Sequence, residues 1–304
     1  MARIVPLDAA MVPALEREIL PQLNPRMPAE RWRRLFLPPW RHEGPLGHVL
    51  VEGERIVGMI GTLFGQRDIE GIPHRVCNLH SWYVAPEHRA MSLMLLKPLL
   101  SMRDVTLTDF SPSPRVLEIS RRLGFQVLDD RVHVLPALPG RARGSVEVGM
   151  LVDDAHAATV LSPTDLALFR DHQGLDCEHL LARDGDAYCY VVHTGHRQRL
   201  LRYRRVQYLS HPALFARHHH AIRHHALRRG GHALVVGARR MEGHAVPWSL
   251  PARSHPSLYR GAAPATALDG LYSELPLLGL PLEFTALRAL ASLRHRLRGR
   301  TPAP

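Results

Sequence analysis

A chain of 304 residues is long enough for one large domain or two of ordinary size. Hydrophobic residues make up 45% and charged residues 22%, which excludes a disordered chain, and we expect a cytoplasmic protein because neither a membrane span nor a signal peptide is recognisable. The formal net charge of +11 favours anionic partners such as a phosphorylated cofactor, an acidic substrate, nucleic acid or an anionic lipid surface, although a bias toward arginine in the coding sequence explains the same excess.

Hydrophobic periodicity and turn residues predict an alternation of strands and helices in the first half of the chain. Asp8 is placed to cap the first helix, Gly53 marks a hairpin turn, and Gly124 closes the last helix. In chain order the predicted elements are a strand (2–7), two helices (9–19 and 28–37), a hairpin (48–65), a third strand (71–84), a helix from residue 89, a strand (104–110), a helix (111–125) and a final strand or strand pair (126–138).

The second half repeats part of this order after a linker rich in Pro, Gly and Arg. A helix capped by Ser162 precedes a hairpin that turns at Gly185, then a strand, a His-rich helix stopped by Gly230, and another strand. The order hairpin, strand, helix, strand thus occurs over residues 48–110 and again over 178–241. This repetition predicts two copies of one unit.

These elements predict an α/β (α+β) fold of two units, each a mixed, mostly antiparallel twisted sheet flanked by helices. Residues 271–282 are interpreted as a strand and 283–300 as a basic terminal helix. The predicted boundaries place the first domain at 1–138, a linker at 139–161 and the second domain at 162–304.

The stretch YVAPEHRAMSLMLLKPLL turns from a strand that ends at Val84 into a helical segment through a proline and a basic residue. A strand that diverges from its neighbour leaves backbone N–H and C=O groups, which can pair with an extended ligand that contains amides. The first N–H groups of the next helix, together with Arg89, suit a phosphate, and Ser92 is small enough for close approach. The simpler alternative is an ordinary strand–turn–helix connection.

This stretch resembles the acyl-CoA-binding motif of the GNAT acyltransferase superfamily. That motif is a strand ending in Val-x-Pro, then an Arg or Gln, two further residues, Gly-x-Gly or Gly-x-Ala, and a Leu-rich helix. Val84, Pro86 and Arg89 match the motif in spacing. The sequence departs from it at Ser92 and, more strongly, at Met94, where the family has small residues. Pro98, inside the following helix, is a further departure that predicts a kink near Met94.

A second frame, SPRVLEISRRLGF, is similar to the next helix of the family. Ser113 stands in the position of the family's asparagine, and Gly124–Phe125 ends the frame. Ser120 stands where the family often has a tyrosine that protonates the leaving thiolate, and serine is a poor acid for this task. By order of elements, the resemblance covers residues 4–136.

The resemblance implies an N-terminal unit that binds acetyl-CoA or another acyl-CoA as co-substrate and transfers the acyl group to an amine or hydroxyl of a small-molecule or saccharide acceptor. The second unit keeps neither the Arg-x-x-small loop nor the Gly-Phe end, so we predict a degenerate copy without a cofactor site. The residues implied for cofactor contact are Trp82, Tyr83, Val84, Arg89, Ala90, Met91, Ser92, Leu93 and Ser113.

Acyl transfer also needs a group that takes up a proton from the nucleophile. Alternation along the third strand places Asn78, His80 and Trp82 on one face, and His80 is the one of these that titrates near neutral pH. Asp109, at the end of the next strand, lies near the same cleft in a GNAT-like fold and is a candidate for binding the acceptor or serving as base. His80, Asp109 and Ser120 are therefore the candidate catalytic residues, with a hydrogen-bonded histidine and a helix cap as structural alternatives for the first two.

The His-rich helix over 217–229 places His220 and His224 on one face, but it contains no carboxylate. We therefore predict a solvated basic face and no metal site. Nucleic-acid binding is not expected either, because aromatic residues for base stacking are absent from this run. The three cysteines are too few for a disulfide framework and are interpreted as buried thiols.

Two alternatives to an acyltransferase remain open. One is an inactivated GNAT-like pair that senses a CoA thioester or serves as a scaffold, which the missing tyrosine and glycines favour. The other is a peripheral factor whose terminal arginines contact an anionic membrane surface or nucleic acid. Those arginines, which also suit a solvated helix end, are Arg294, Arg296, Arg298 and Arg300.

Overall fold

The computed structural model describes residues 2–40, 43–69, 71–138, 146–198 and 200–285. Over these residues the chain forms two units that are interleaved in sequence. The first comprises Met1–Leu128, Gly174–Asp176 and Ser257–Leu280, and the second comprises Asp129–Gln173, Cys177–Pro256 and Pro281–Pro304. The predicted domains are continuous in sequence. The first unit, in contrast, also includes a strand and a helix from the later segment Ser257–Leu280.

The first unit is built on a seven-stranded mixed sheet in the order β1-β2-β3-β4-β5-β14-β6. Neighbours from β1 to β4 are antiparallel, β4 and β5 are parallel, and β14 is antiparallel to both β5 and β6. The strands are β1 (Arg3–Pro6), β2 (Gly47–Glu52), β3 (Arg55–Ile69), β4 (Ile72–Val84), β5 (Val105–Asp109), β6 (Gln126–Val127) and β14 (Leu258–Arg260).

Helices flank this sheet, and an apolar cluster that includes Leu50, Ile60, Leu95 and Leu107 fills the space between sheet and helices on one face. The helices are α1 (Val12–Glu18), α2 (Leu20–Leu23), α3 (Ala29–Phe36), α4 (Lys97–Leu100), α5 (Pro114–Arg122) and α9 (Glu274–Leu278), with 3₁₀ helices at Ala9–Met11, Pro86–Leu95 and Ala265–Ala267.

The second unit has a seven-stranded sheet in the order β13-β7-β12-β11-β10-β9-β8. Here too an antiparallel hairpin and its neighbour, β9 to β11, are followed by a parallel pair, β11 and β12. Its elements are β7 (Arg131–Pro136), β8 (Glu147–Met150), α6 (Asp154–Val160), α7 (Pro163–His172), β9 (Cys177–Asp184), β10 (Ala187–Gln198), β11 (Leu201–Leu209), α8 (Pro212–Leu227), β12 (Ala233–Gly237), a 3₁₀ helix (Ala238–Met241) and β13 (Leu250–Arg253).

Both sheets therefore have the predicted mixed, mostly antiparallel character, and their strand orders correspond one to one. The position between β5 and β6 in the first sheet is held by β14, while the matching position in the second sheet is held by β7. The predicted strand pair over 126–138 thus contributes β6 to the first unit and β7 to the second.

Three predicted elements differ from the structure. Residues 271–282 contain a helix, α9, rather than a strand, because Ser273 caps it by accepting a hydrogen bond from the Leu275 amide at 3.2 Å and Gly279 ends it with a φ of 55°. The helix predicted after Val84 is a 3₁₀ helix at Pro86–Leu95, and the short α4 follows it. The predicted linker contains β8 and α6.

The structure describes the chain as far as residue 285. The rest of the predicted terminal helix over 283–300, with its arginines, lies outside the described residues. Among the residues that the structure describes, no helix combines the length and the apolar character needed to cross a bilayer.

Candidate functional site

A cleft opens in the first sheet where two parallel strands separate. The pairing between β4 and β5 runs from Arg75 with Val105 to Asn78 with Thr108 and ends there. β4 continues to Val84, still paired on its other side with β3. Within the described residues, the β5-facing backbone edge beyond Asn78 is thus left without a strand partner, as predicted for a segment that receives an extended ligand.

A β-bulge lies in β4 beside this opening. The register with β3 shifts between Met59 and Gly61, and Ser81 has a φ of 52°, a left-handed conformation that is strained for a residue other than glycine. The bulge breaks the alternation along the strand: Asn78 faces Glu274, whereas Trp82 packs with the apolar cluster on the opposite side. The predicted common face of Asn78, His80 and Trp82 is therefore wrong.

His80 is buried at this bulge, with 7% of its surface exposed. Its Nδ1 lies 3.1 Å from the Ser81 hydroxyl, and its ring centroid lies 5.6 Å from that of Phe36 on α3. The ring packs directly over Gly61, where a Cβ atom would lie 2.1 Å from the His80 Cε1 atom. The position of this imidazole therefore depends on the absence of a side chain at residue 61.

The turn after β4 carries most of the predicted cofactor residues. Arg89 and Ala90 are exposed on the 3₁₀ helix, while Met91 and Ser92 are half-buried. Leu93 and Met94 expose 50% and 45% of their surfaces, which leaves apolar surface next to Ser92. The His88 amide already donates to the Ala85 carbonyl at 2.9 Å, so part of the predicted N–H cradle is used within the turn.

The three residues that precede this turn form the end of β4. Trp82 and Tyr83 are half-buried, and Val84 is buried and paired with Gly58. The Ala85 amide donates to the Val57 carbonyl at 2.9 Å, so pairing with β3 persists into the turn.

On α5, the two serines singled out from the sequence have different surroundings. Ser113 is the N-cap, and its hydroxyl accepts a hydrogen bond from the Val116 amide at 3.3 Å. Ser120 is buried, with 4% exposed, and its carbonyl accepts from the Leu123 and Phe125 amides, each at 3.0 Å. Ser113 thus caps the N-terminal end of α5 with its side chain, and Ser120 accepts hydrogen bonds at the C-terminal end with its backbone carbonyl.

A pair of carboxyl groups lies where β5 ends. Asp109 is the last residue of β5, and Glu274 is the first residue of α9. The Ser111 hydroxyl donates to Glu274 Oε1 at 2.5 Å, the Asn78 side-chain amide donates to Glu274 Oε2, and the Ser111 backbone amide donates to Asp109 Oδ1 at 3.2 Å. Thr108 completes the network by donating to Asn78 Oδ1 at 3.3 Å.

Burial raises the pKa of Asp109 well above its usual range, and the negative charge of Glu274 raises it further against the opposing hydrogen bond from Ser111. Burial also raises the pKa of Glu274, while the donors Ser111 and Asn78 lower it. Sequence reasoning identified Asp109 but missed Glu274. The available signal was a lone acidic residue after a serine inside an apolar run, a pattern typical of a helix start.

The matching junction of the second unit is built differently. His211 caps α8 by accepting a hydrogen bond from the Leu214 amide at 3.2 Å, and Arg217 pairs with Asp184 at 3.6 Å. Within the residues that the structure covers, no group of three or more His, Cys, Asp or Glu side chains is placed to hold a metal ion. Cys77 and Cys189 are buried free thiols, and Cys177 is partly buried.

No protein-family model matches the chain, and no curated protein matches it by sequence. Several solved structures do match. A GCN5-related N-acetyltransferase from Anabaena variabilis ATCC 29413 superposes with a TM-score of 0.59 at 12% identity, covering 86% of this chain and 72% of that one. A GCN5-related N-acetyltransferase from Kribbella flavida has a TM-score of 0.55 at 17% identity, covering 86% and 71%.

A probable N-acyltransferase from Enterococcus faecalis V583 gives a TM-score of 0.56 at 10% identity, covering 86% of this chain and 72% of that one. At such identities the likeness establishes the fold. The chain has the fold of the GCN5-related N-acetyltransferases across most of its length, which confirms the predicted resemblance at the level of architecture.

Proposed function

We propose that this protein is a cytoplasmic acyltransferase that moves an acyl group, acetyl or another, from acyl-CoA to an amine or hydroxyl of an acceptor. The observation that carries the proposal is the separation of β4 from β5 beyond Asn78, together with the turn after Val84 that exposes Arg89. Such a cleft suits the amide-containing arm of CoA, and the arginine suits its phosphates.

The residues beside the cleft are compatible with this ligand. The exposed apolar surface of Leu93 and Met94 would cover the uncharged part of the arm, and Ser92 leaves room for the pyrophosphate. The fold of the solved N-acetyltransferases supports the same use of the cleft. Trp82, Tyr83 and Val84 would line it through their backbone atoms.

The test is direct. Calorimetric titration with CoA and acetyl-CoA should show binding to the wild-type protein, and release of free thiol from acetyl-CoA should rise in the presence of one or more members of a panel of amines and alcohols. A protein that binds no CoA thioester contradicts the proposal. Binding without turnover against the whole panel would instead favour a CoA-thioester sensor or scaffold.

A further inference from the structure

The two carboxyl groups at the end of β5 are not equivalent. Glu274 has 3% of its surface exposed, and both of its oxygens already accept side-chain hydrogen bonds, from Ser111 and Asn78. Asp109 is less fully enclosed than Glu274 and accepts one longer hydrogen bond, from the Ser111 amide. One residue, Ser111, therefore holds both carboxyl groups, through its hydroxyl and its backbone.

Two neighbouring carboxyl groups in a desolvated site do not both ionise at neutral pH, and the group with fewer hydrogen-bond donors retains the proton. Here the donors favour an ionised Glu274 and leave the proton on Asp109. Its location gives that proton a use, because Asp109 is the residue that follows the last β4–β5 pair, Asn78 with Thr108, and so lies at the mouth of the cleft.

We propose that Asp109 is the catalytic general acid that protonates the departing CoA thiolate, and that Glu274 is a positioning residue that keeps Asp109 protonated. The inference rests on the proposed acyl transfer. It also accounts for the departure at Ser120, which is a poor acid and is buried on α5.

The step balances without any further reactant. The acceptor nitrogen or oxygen forms a bond to the thioester carbonyl carbon, and the C–S bond breaks with its electron pair passing to sulfur. The thiolate takes the proton of Asp109. The acylated acceptor then loses its extra proton to the Asp109 carboxylate, directly or through water, which restores the starting state.

The sharpest test varies the leaving group. Asp109→Asn should lower kcat/KM at least about a hundredfold with acetyl-CoA and with acetyl-N-acetylcysteamine, because alkyl thiolates need the proton. With the acetyl thioester of thionitrobenzoate, whose thiolate is stable without a proton, the same variant should retain nearly wild-type kcat/KM. Asp104→Asn, an exposed aspartate just before β5, is the matched control and should leave all three rates unchanged.

If Asp109→Asn lowers kcat/KM by the same factor with all three thioesters, the general-acid role is wrong, because Asp109 would then act in a step that precedes C–S cleavage. Wild-type protein that neither binds nor turns over a thioester overturns the proposed function and this role together. Turnover with equal losses overturns only the role.

The pH dependence tests Glu274. The wild-type rate should fall as pH rises and Asp109 loses its proton. Glu274→Gln removes the neighbouring negative charge that raises the pKa of Asp109, so the same fall should occur at lower pH. A merely structural role for Glu274 predicts a lower rate with the fall unmoved.

A spectroscopic measurement keeps the proposal testable if Asp109→Asn does not fold. In wild-type protein labelled with ¹³C at aspartate carboxyls, one resonance should titrate well above the ordinary value of about 3.9. Aspartate resonances that all titrate near the ordinary value would overturn the proposal.

Discussion

Gly61 shows how one missing side chain sets the position of a candidate functional group. A Cβ at residue 61 would lie 2.1 Å from the imidazole of His80, whose ring also packs against Phe36 with the two centroids 5.6 Å apart. Ring and strand cannot both keep their positions if a methyl group is added. Glycine at this point of β3 is therefore required by packing, whatever the role of His80.

Gly61→Ala should destabilise the protein by about 1–3 kcal/mol, the usual cost of overpacking a buried site, and should displace the His80 ring. The free energy of unfolding from urea denaturation measures the first effect. The matched control is Gly149→Ala, since a Cβ at Gly149 meets no atom within 4 Å. Equal stability of the Gly61 variant and the wild type would contradict the close packing of the His80 ring on residue 61.

Arg89 and Ser92 test the phosphate side of the cleft. Arg89→Ala should weaken CoA binding about tenfold, because a charge-assisted contact is lost at an exposed site while backbone donors remain. Ser92→Glu should weaken it more, since a negative charge and a longer side chain would meet the pyrophosphate, and Ser92→Gly should be tolerated. Calorimetry on folded variants, with Arg103→Ala as an exposed-arginine control, gives the affinities. A folded Ser92→Glu variant that binds CoA as wild type does would refute this placement.

The role of a residue could be predicted from the sequence where its contacts are with residues close to it in the chain. The turn at Arg89 and the cap at Ser113 follow from neighbours in sequence, and the structure places Arg89 on an exposed turn and Ser113 at the start of α5. Glu274 could not be assigned, because its partner Asn78 is 196 positions away. The shared face of His80 and Trp82 failed because a bulge, which alternation does not reveal, separates them.

At the scale of elements, the second sheet buries several titratable groups. His193 on β10 is wholly buried, with its Nε2 3.9 Å from Glu178, which in turn pairs with Arg204 at 3.1 Å. Burial lowers the pKa of His193 to about 3, and the positive charge of Arg204 contributes, as do His179 and His225. Burial likewise lowers the pKa of His179 to about 4.

These histidines should make stability fall with acidity. The unfolded chain binds a proton at each histidine below about pH 6.5, whereas the folded chain does not until about pH 3 to 4, so protons favour unfolding in between. Each histidine should contribute a loss of about 1.4 kcal/mol per pH unit over that interval.

Urea denaturation at several pH values below about 6.5 measures the slope. His193→Gln should flatten it, and His224→Gln, at an exposed position on α8, should leave it unchanged. A slope that is the same in wild type and His193→Gln would show that His193 is protonated in the folded protein.

For regular elements, sequence patterns predicted most strands, because the hairpins and the strand–helix junctions are bounded by turn residues. The patterns failed where tertiary packing decides. Every residue of α9 is buried and all but Glu274 are apolar, so its composition does not distinguish a helix from a buried strand. The 3₁₀ form at Pro86–Leu95 was not predicted either, because turn residues and apolar spacing do not distinguish a 3₁₀ helix from an α-helix.

At the scale of the whole molecule, the first unit depends on residues far along the chain. β14 joins β5 to β6, since Leu258 pairs with both Asp109 and Val127. The same segment carries Asp269, which forms a buried ion pair of 2.5 Å with Arg67 on β3. A continuous N-terminal domain predicted from motifs could not contain these contacts, because nothing in the local sequence indicates which sheet a short strand joins.

A chain ending at residue 256 should therefore lose CoA binding, whereas one ending at residue 285 should retain it. The shorter chain lacks β14, leaves Arg67 buried without Asp269, and lacks Glu274 beside Asp109. Titration of both chains with CoA, together with unfolding curves, measures the difference. Addition of a peptide of residues 257–285 to the shorter chain should restore part of the binding. Wild-type affinity in the shorter chain would show that the returning segment is dispensable.

The placement of β14 also bears on how the protein is made. Leu258, the first residue of β14, is synthesised 130 residues after Leu128, where the first segment of this unit ends. At about 5–20 residues per second, this interval lasts roughly 6–26 s. During that time β5 and β6 have emerged without the strand that lies between them, and unpaired strand edges are the surfaces through which nascent chains aggregate. Production of this protein should therefore depend on chaperone capacity and on translation speed between residues 129 and 280.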